Sequence, residues 1–387
     1  MKNICFAVLL MSLTLSACKK EKQIQPFQKM HLISKAEMDA QIRKEIIMHH
    51  AFDWNKTSDD FLWSALENAD HMMSIGFTID PKFNMDEDIH QIDIKQPQWK
   101  NVRNQIIDLV LASEMRLDVS VTVQKIMPWN EDVLPVVNLI IHNPETIKLL
   151  RSNPLIRYVE PMGYEPDLLK INKGKAPGNT SALSSSSGCD NNNAELGLSL
   201  NYDYTTIAPA TMQSWNYAYH NIPMAWSKST GKGIKIFLID TGCEFDQENL
   251  GAAFNQGLST GRTIEKIVTL PRSSFLGIPT GPTETPDDDC GHGTSMAGAC
   301  AAPRGVDGNA TGVAYNCNLI TCKAAEDVFI EDSREAKGVA DAFTNAANRA
   351  DVKIISMSLG RVTTSSQIKD AILYAYGKGK LIFCAAG

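Results

Sequence analysis

Apolar positions along the chain change their rhythm several times, and each rhythm predicts a different kind of segment. Ile4 to Leu15 is an almost unbroken apolar run behind a positively charged start, Met1-Lys2-Asn3. Residues 19 to about 50 are mostly polar and read as a tether. Between 51 and 165 the pattern becomes that of a small α/β unit. Val102, Ile106, Ile107, Val110 and Leu111 recur at helical spacing within Trp99 to Met115. Val119, Val121 and Val123 alternate with Ser120 and Thr122, as a half-buried strand does. Val136 to Ile141 is a second apolar run. Asn143-Pro144 predicts a short helix through Leu150, with Asn143 as N-cap, and Leu155 to Glu160 a closing strand.

Residues 166 to about 210 carry Gly, Pro, Ser and Asn clusters and bury no core, so a flexible linker is expected there. After it, short apolar runs alternate with amphipathic ones. Strands are predicted at Ile234–Ile239, Leu319–Cys322, Ile354–Met357 and Leu381–Ala385. Helices are predicted at His292–Ala302, Arg334–Ala350 and Ser365–Gly377. Continuous apolar strands separated by helices predict an α/β fold, a parallel sheet with helices on both faces, preceded by the smaller α/β domain.

The leading run is too short to span a bilayer and reads as a signal peptide over 1–17. It ends in Leu15-Ser16-Ala17-Cys18, which resembles the bacterial lipobox. Cys18 is therefore the expected lipidation site. The chain is expected to be an exported lipoprotein of the cell envelope or surface, or released from it, held to the membrane by a tether over 18–50. The net charge of −7 argues against a nucleic-acid partner. Nine cysteines are present. Setting aside Cys5 and Cys18 leaves an odd number, so at least one lacks a partner within the chain. Without C-x-x-C or H-E-x-x-H, no metal site is predicted.

Two positions stand out chemically. Asp240 closes the strand Ile234–Ile239, at the carboxyl end where functional groups of parallel sheets gather. His292 lies between two glycines at the start of an Ala- and Gly-rich helix. A helix N-terminus disfavours imidazolium, so a proton-accepting histidine there needs a carboxylate on its other nitrogen. Asp240 would fix the tautomer and stabilise the cation that forms.

Ile239-Asp240-Thr241-Gly242 and Gly291-His292-Gly293-Thr294 with Ala297-Gly298 resemble the Asp and His motifs of the subtilisin-like serine peptidases, the subtilases, and they come in that family's order. Gly312-Val313-Ala314 and Ile354 to Gly360 add to the resemblance, which covers about 211–387. It implies a serine endopeptidase acting on polypeptides through an Asp-His-Ser triad. It also implies that Ser358, Leu359 and Gly360 wall the specificity pocket and offer an edge to an extended substrate. Residues 51–165 resemble the family's inhibitory propeptide, best at Arg157 to Pro161. The chain's own propeptide is thus an expected partner, with a processing site within 166–210.

The family's order asks for an oxyanion asparagine and a nucleophilic serine beyond Gly387. The chain is accordingly expected to be an inactive fragment, the N-terminal part of a catalytic domain. Gly293-Thr294-Ser295-Met296-Ala297 spells the nucleophile motif, but Ser295 shares a helix with His292 and is rejected. The resemblance allows calcium without requiring any cofactor. Asn249 stands where an acidic ligand would, and Gly305 to Gly312 offers Asp307 and Asn309. The run Asp287-Asp288-Asp289 reads as a solvated loop. If Asp240 and His292 meet, Cys243 and Cys290 leave the same end of the sheet and are the candidate disulfide. Cys300, Cys322 and Cys384 read as buried small residues. The competing function is a subtilase-fold pseudoenzyme that binds peptides without cutting. A nucleotide-binding fold is disfavoured, because Gly231 and Gly233 precede their strand rather than follow it.

Overall fold

The computed structural model describes residues 30–167, 189, 196–275 and 278–385. Cys18 and the signal segment lie outside them. Among the described residues no helix is long and apolar enough to cross a membrane. From Leu32 onward the chain forms one unit.

The small domain begins earlier than its pattern predicts. Helix α1, Lys35–His49, falls within the expected tether. Ser34 and Glu37 form a reciprocal capping box at its start, and Met38 and Ile42 are fully buried. Helix α2, Asp59–Glu67, buries Phe61 to Leu66. Three antiparallel strands follow: β1 (Met72–Phe77), β2 (Val136–Ile140) and β3 (Ile156–Pro161), in the order β2-β1-β3. Helix α3 (Pro97–Glu114) and helix α4 (Glu145–Arg151) complete the domain. The strand expected at Val119 to Val123 does not form. Val119 is exposed, and Val123–Ile126 is a single helical turn. The central strand is β1 instead. All six of its residues are buried, so it shows no alternation to read.

Beyond the linker region a short hairpin, β4 (Tyr204–Ile207) with β5 (Thr211–Ser214), precedes the large sheet. That sheet holds β6 (Lys235–Asp240), β7 (Ile264–Val268), β8 (Asn318–Lys323), β9 (Val352–Met357) and β10 (Leu381–Cys384). All its pairings are parallel, in the order β10-β9-β6-β8-β7. Helices α5 (His292–Ala301), α6 (Ser333–Asn348) and α7 (Ser366–Gly377) connect its strands. Strand β6 is central, with Phe237 and Ile239 in one apolar cluster and Ile236 and Leu238 in another. Its carboxyl end is held on both sides, by β9 and β8, and that end carries Asp240.

The cluster containing Phe237 also takes in Met72, Val136, Tyr158 and Met162 of the small domain with Ala340, Ala371 and Tyr374 of α6 and α7. Polar contacts border this shared core. Arg157 pairs with Asp370, whose carboxylate also accepts from the Tyr158 hydroxyl at 3.1 Å. Gln367 Oε1 accepts from Ser74 at 2.9 Å and from Asn138 at 2.7 Å. Glu160 Oε2 accepts from the Ser366 N–H at 2.7 Å, at the start of α7.

Candidate active site

His292 opens α5 behind Gly291, which takes the left-handed conformation (φ 81°) and has no side chain to cap the helix. Asp288 supplies the missing acceptor. Its carboxylate is 1% exposed and accepts from the N–H of Gly291 (2.9 Å) and from the N–H and hydroxyl of Thr294 (2.7 Å each). It also accepts from the Thr241 hydroxyl (2.8 Å). The acidic run is therefore not a uniform solvated loop. Asp288 is buried, Asp287 receives the Phe245 N–H at 3.1 Å, and only Asp289 projects outward, paired with Lys323. A glycine at the cap position was the available signal, since a helix start without its own acceptor must borrow one.

The helix start is also pressed against the Asp240 turn. A Cβ on Gly293 would collide with the Gly242 carbonyl and stand 2.8 Å from the Gly242 nitrogen. The Gly293 N–H donates to Thr241 Oγ1 at 2.9 Å. This approach brings His292 Nδ1 to 2.7 Å from Asp240 Oδ1. Asp240 is 1% exposed, and the same oxygen accepts its neighbour Thr241's N–H at 2.9 Å. The bond from Asp240 raises the His292 pKa above its ordinary 6.5 against the opposing effect of burial, and Asp288 and Asp327 add to the rise. The carboxylate thus outweighs the desolvation of the ring. Nε2 has no hydrogen-bond partner among the described residues. Ser295 is not aimed at it; its hydroxyl donates to the Gly291 carbonyl, 3.0 Å away on its own helix.

Ser358, Leu359 and Gly360 leave the carboxyl end of β9, beside β6. Gly360 is not an open edge. Its N–H donates to the Val328 carbonyl (3.0 Å) and its carbonyl accepts from Ile330 (2.8 Å). Leu359 is buried. Ser358 and Leu359 directly follow the last pair of β9 with β6, Met357 beside Ile239.

Cys243 and Cys290 do not pair. Cys243 is fully buried in the cluster of Ile236, Leu238, Leu250, Phe254 and Ala297, and burial raises its thiol pKa. Cys290 lies outside that cluster and is bonded to Cys189, with Cα atoms 4.7 Å apart. Cys322 is buried as expected, Cys300 is half-buried, and Cys384 is exposed.

A buried strand-end aspartate bonded to Nδ1 of a histidine across a parallel sheet is an arrangement in which a carboxylate fixes the imidazole tautomer and leaves Nε2 to exchange a proton. Residues 231–387 match the subtilase family, Peptidase_S8. Thermitase of Thermoactinomyces vulgaris is 30% identical over 165 residues, which is 43% of this chain and 51% of thermitase. The major intracellular serine protease of Bacillus subtilis (strain 168) is 30% identical over 169 residues, 43% of this chain and 46% of its own. The solved structure of sphericase aligns over 41% of this chain and 46% of its own, at 28% identity and a TM-score of 0.28. The chain spans about half the length of the curated relatives it matches.

Proposed function

We propose that this chain carries the acid–base pair of a serine endopeptidase acting on polypeptides. The supporting observation is the 2.7 Å bond from His292 Nδ1 to buried Asp240 Oδ1, with Nε2 left to receive a proton. In this reading a serine outside the described residues attacks the scissile carbonyl. His292 Nε2 takes the hydroxyl proton and later returns it to the leaving amine, while Asp240 stabilises the imidazolium between those steps. Asp288 is a positioning residue, because it ties the Asp240 turn to the start of α5. The segment Ser358 to Gly360, at the carboxyl end of β9, lies along the extended substrate.

The small domain acts as a built-in inhibitor and folding partner. Its support is the shared apolar cluster and the Arg157–Asp370 and Glu160–Ser366 contacts. Cys18 carries the lipid, a role checked by intact-mass measurement of membrane-fraction protein. The catalytic reading is tested by expressing the whole gene product and labelling it with a fluorophosphonate. A single labelled serine, with labelling and casein hydrolysis both lost in His292→Ala, is the expected result. Labelling unchanged by His292→Ala would overturn the reading.

A further inference from the structure

Where the family resemblance allows calcium, Asn249 Oδ1 and Asp307 Oδ2 of the loop Gly305–Gly312 are held by a single side chain. Gln256 extends into the loop. Its Nε2 donates one hydrogen to Asn249 Oδ1 at 2.7 Å and the other to Asp307 Oδ2 at 2.8 Å. Its Oε1 accepts from the Val306 N–H at 3.0 Å. The main chain closes tightly on this amide. A Cβ on Gly305 would stand 2.6 Å from Gln256 Cδ, a distance that real Cβ atoms do not adopt.

The other oxygens are engaged as well. Asp307 Oδ1 accepts from the Asn309 N–H at 3.0 Å. The Asn309 carbonyl accepts from the Met212 N–H at 3.0 Å and from the Thr211 hydroxyl. Calcium takes six to eight oxygen ligands and relies on carboxylates among them. Here Asp307 brings the loop's one carboxylate, and N–H groups of Gln256 and Asn309 face both of its oxygens. The Gln256 N–H groups would point at a cation placed between Asp307 and Asn249. An amide offers two partial positive charges to two oxygens and satisfies them without a metal.

We infer that the Gln256 amide replaces a divalent cation as the fastener of this loop, so that the segment 305–312 keeps its shape without calcium. The donor set does not fit the metal. The amide links three segments, around Asn249, Gln256 and Asp307, as a shared ion would.

The test is amide hydrogen exchange of residues 305–312 in the full chain, together with its melting temperature, in excess calcium and in excess chelator. The wild-type loop is expected to exchange equally in both. Gln256→Ala removes three hydrogen bonds and is expected to speed that exchange by roughly tenfold or more, in calcium and chelator alike. Gln256→Glu sets a second carboxylate against Asp307 and is expected to open the loop in chelator, with calcium restoring both protection and melting temperature. Faster exchange of the wild-type loop on chelation would overturn the inference, as would unchanged exchange in Gln256→Ala.

Discussion

Thr241 and Asp288 are joined by a 2.8 Å hydrogen bond that links the residue after the candidate acid to the loop leading into the candidate base. The sequence separates them by 47 positions, yet this contact sets the spacing between Asp240 and His292. Asp288→Asn should disturb it, because an amide cannot accept at both ends of the carboxylate. One of the two donor pairs, Thr241 with Gly291 or the two groups of Thr294, then faces an NH₂ group. A loss of roughly 1–3 kcal/mol in urea unfolding is expected. Unchanged stability would show that Asp288 does not hold the two turns together.

The His292 imidazole should titrate above 6.5, because the Asp240 carboxylate favours its charged form. Since the folded value is raised, the pair stabilises the fold fully below pH 6.5 and loses that contribution as pH rises through the folded value. Asp240→Asn should bring the pKa down and flatten the stability profile in that window. Histidine NMR titration of wild type and variant gives the check; equal values would show that Asp240 does not act on the ring.

Glu160 makes the contact between the small domain and α7 sensitive to pH. Burial pushes its carboxyl up to about 7, against the hydrogen bonds from Ser366 and the nearby charge of Arg361, while Asp53 adds to the rise. A raised folded value means that its contribution is complete below the ordinary 4.5 and declines as pH climbs through about 7. Glu160→Gln should therefore lose less stability than wild type between those limits. Thermal unfolding across that range measures it, and parallel profiles would remove Glu160 as the cause.

Non-reducing peptide mapping should recover a crosslink between Cys189 and Cys290, with Cys243 alkylated only after denaturation. The bridge closes a loop of sequence separation 101. Cys189→Ser should therefore cost about 2–4 kcal/mol. A Cys243–Cys290 crosslink would contradict this arrangement.

The two motif residues were readable because their signals are local: a carboxylate at a strand's end, and a histidine between glycines where a helix starts. The parallel sheet was equally readable, since strands buried on both faces are continuous apolar runs. The same burial concealed β1, where Ser74 and Gly76 interrupt the apolar run and a six-residue segment without alternation carries no period. Val119, Val121 and Val123 had the period without a sheet to join. Asp288 looked like one more surface charge, because its burial depends on donors contributed by Thr241, Gly291 and Thr294 together. Cys189 sits in a stretch rich in Ser and Asn, where composition gives no reason to expect a covalent anchor.

That anchor divides the connection between the two domains into two topologically different stretches. A backbone cut between Glu165 and Cys189 separates the small domain into its own polypeptide, held to α6 and α7 by noncovalent contacts alone. A cut between Cys189 and Ser214 produces two polypeptides that stay joined through the sulfur bridge, beside the loop that presents His292. The two products have the same contacts but different electrophoretic fates. The first parts in detergent, and the second parts only when a thiol reductant is added. One bond thus makes the position of the cut decide whether redox conditions govern departure of the small domain.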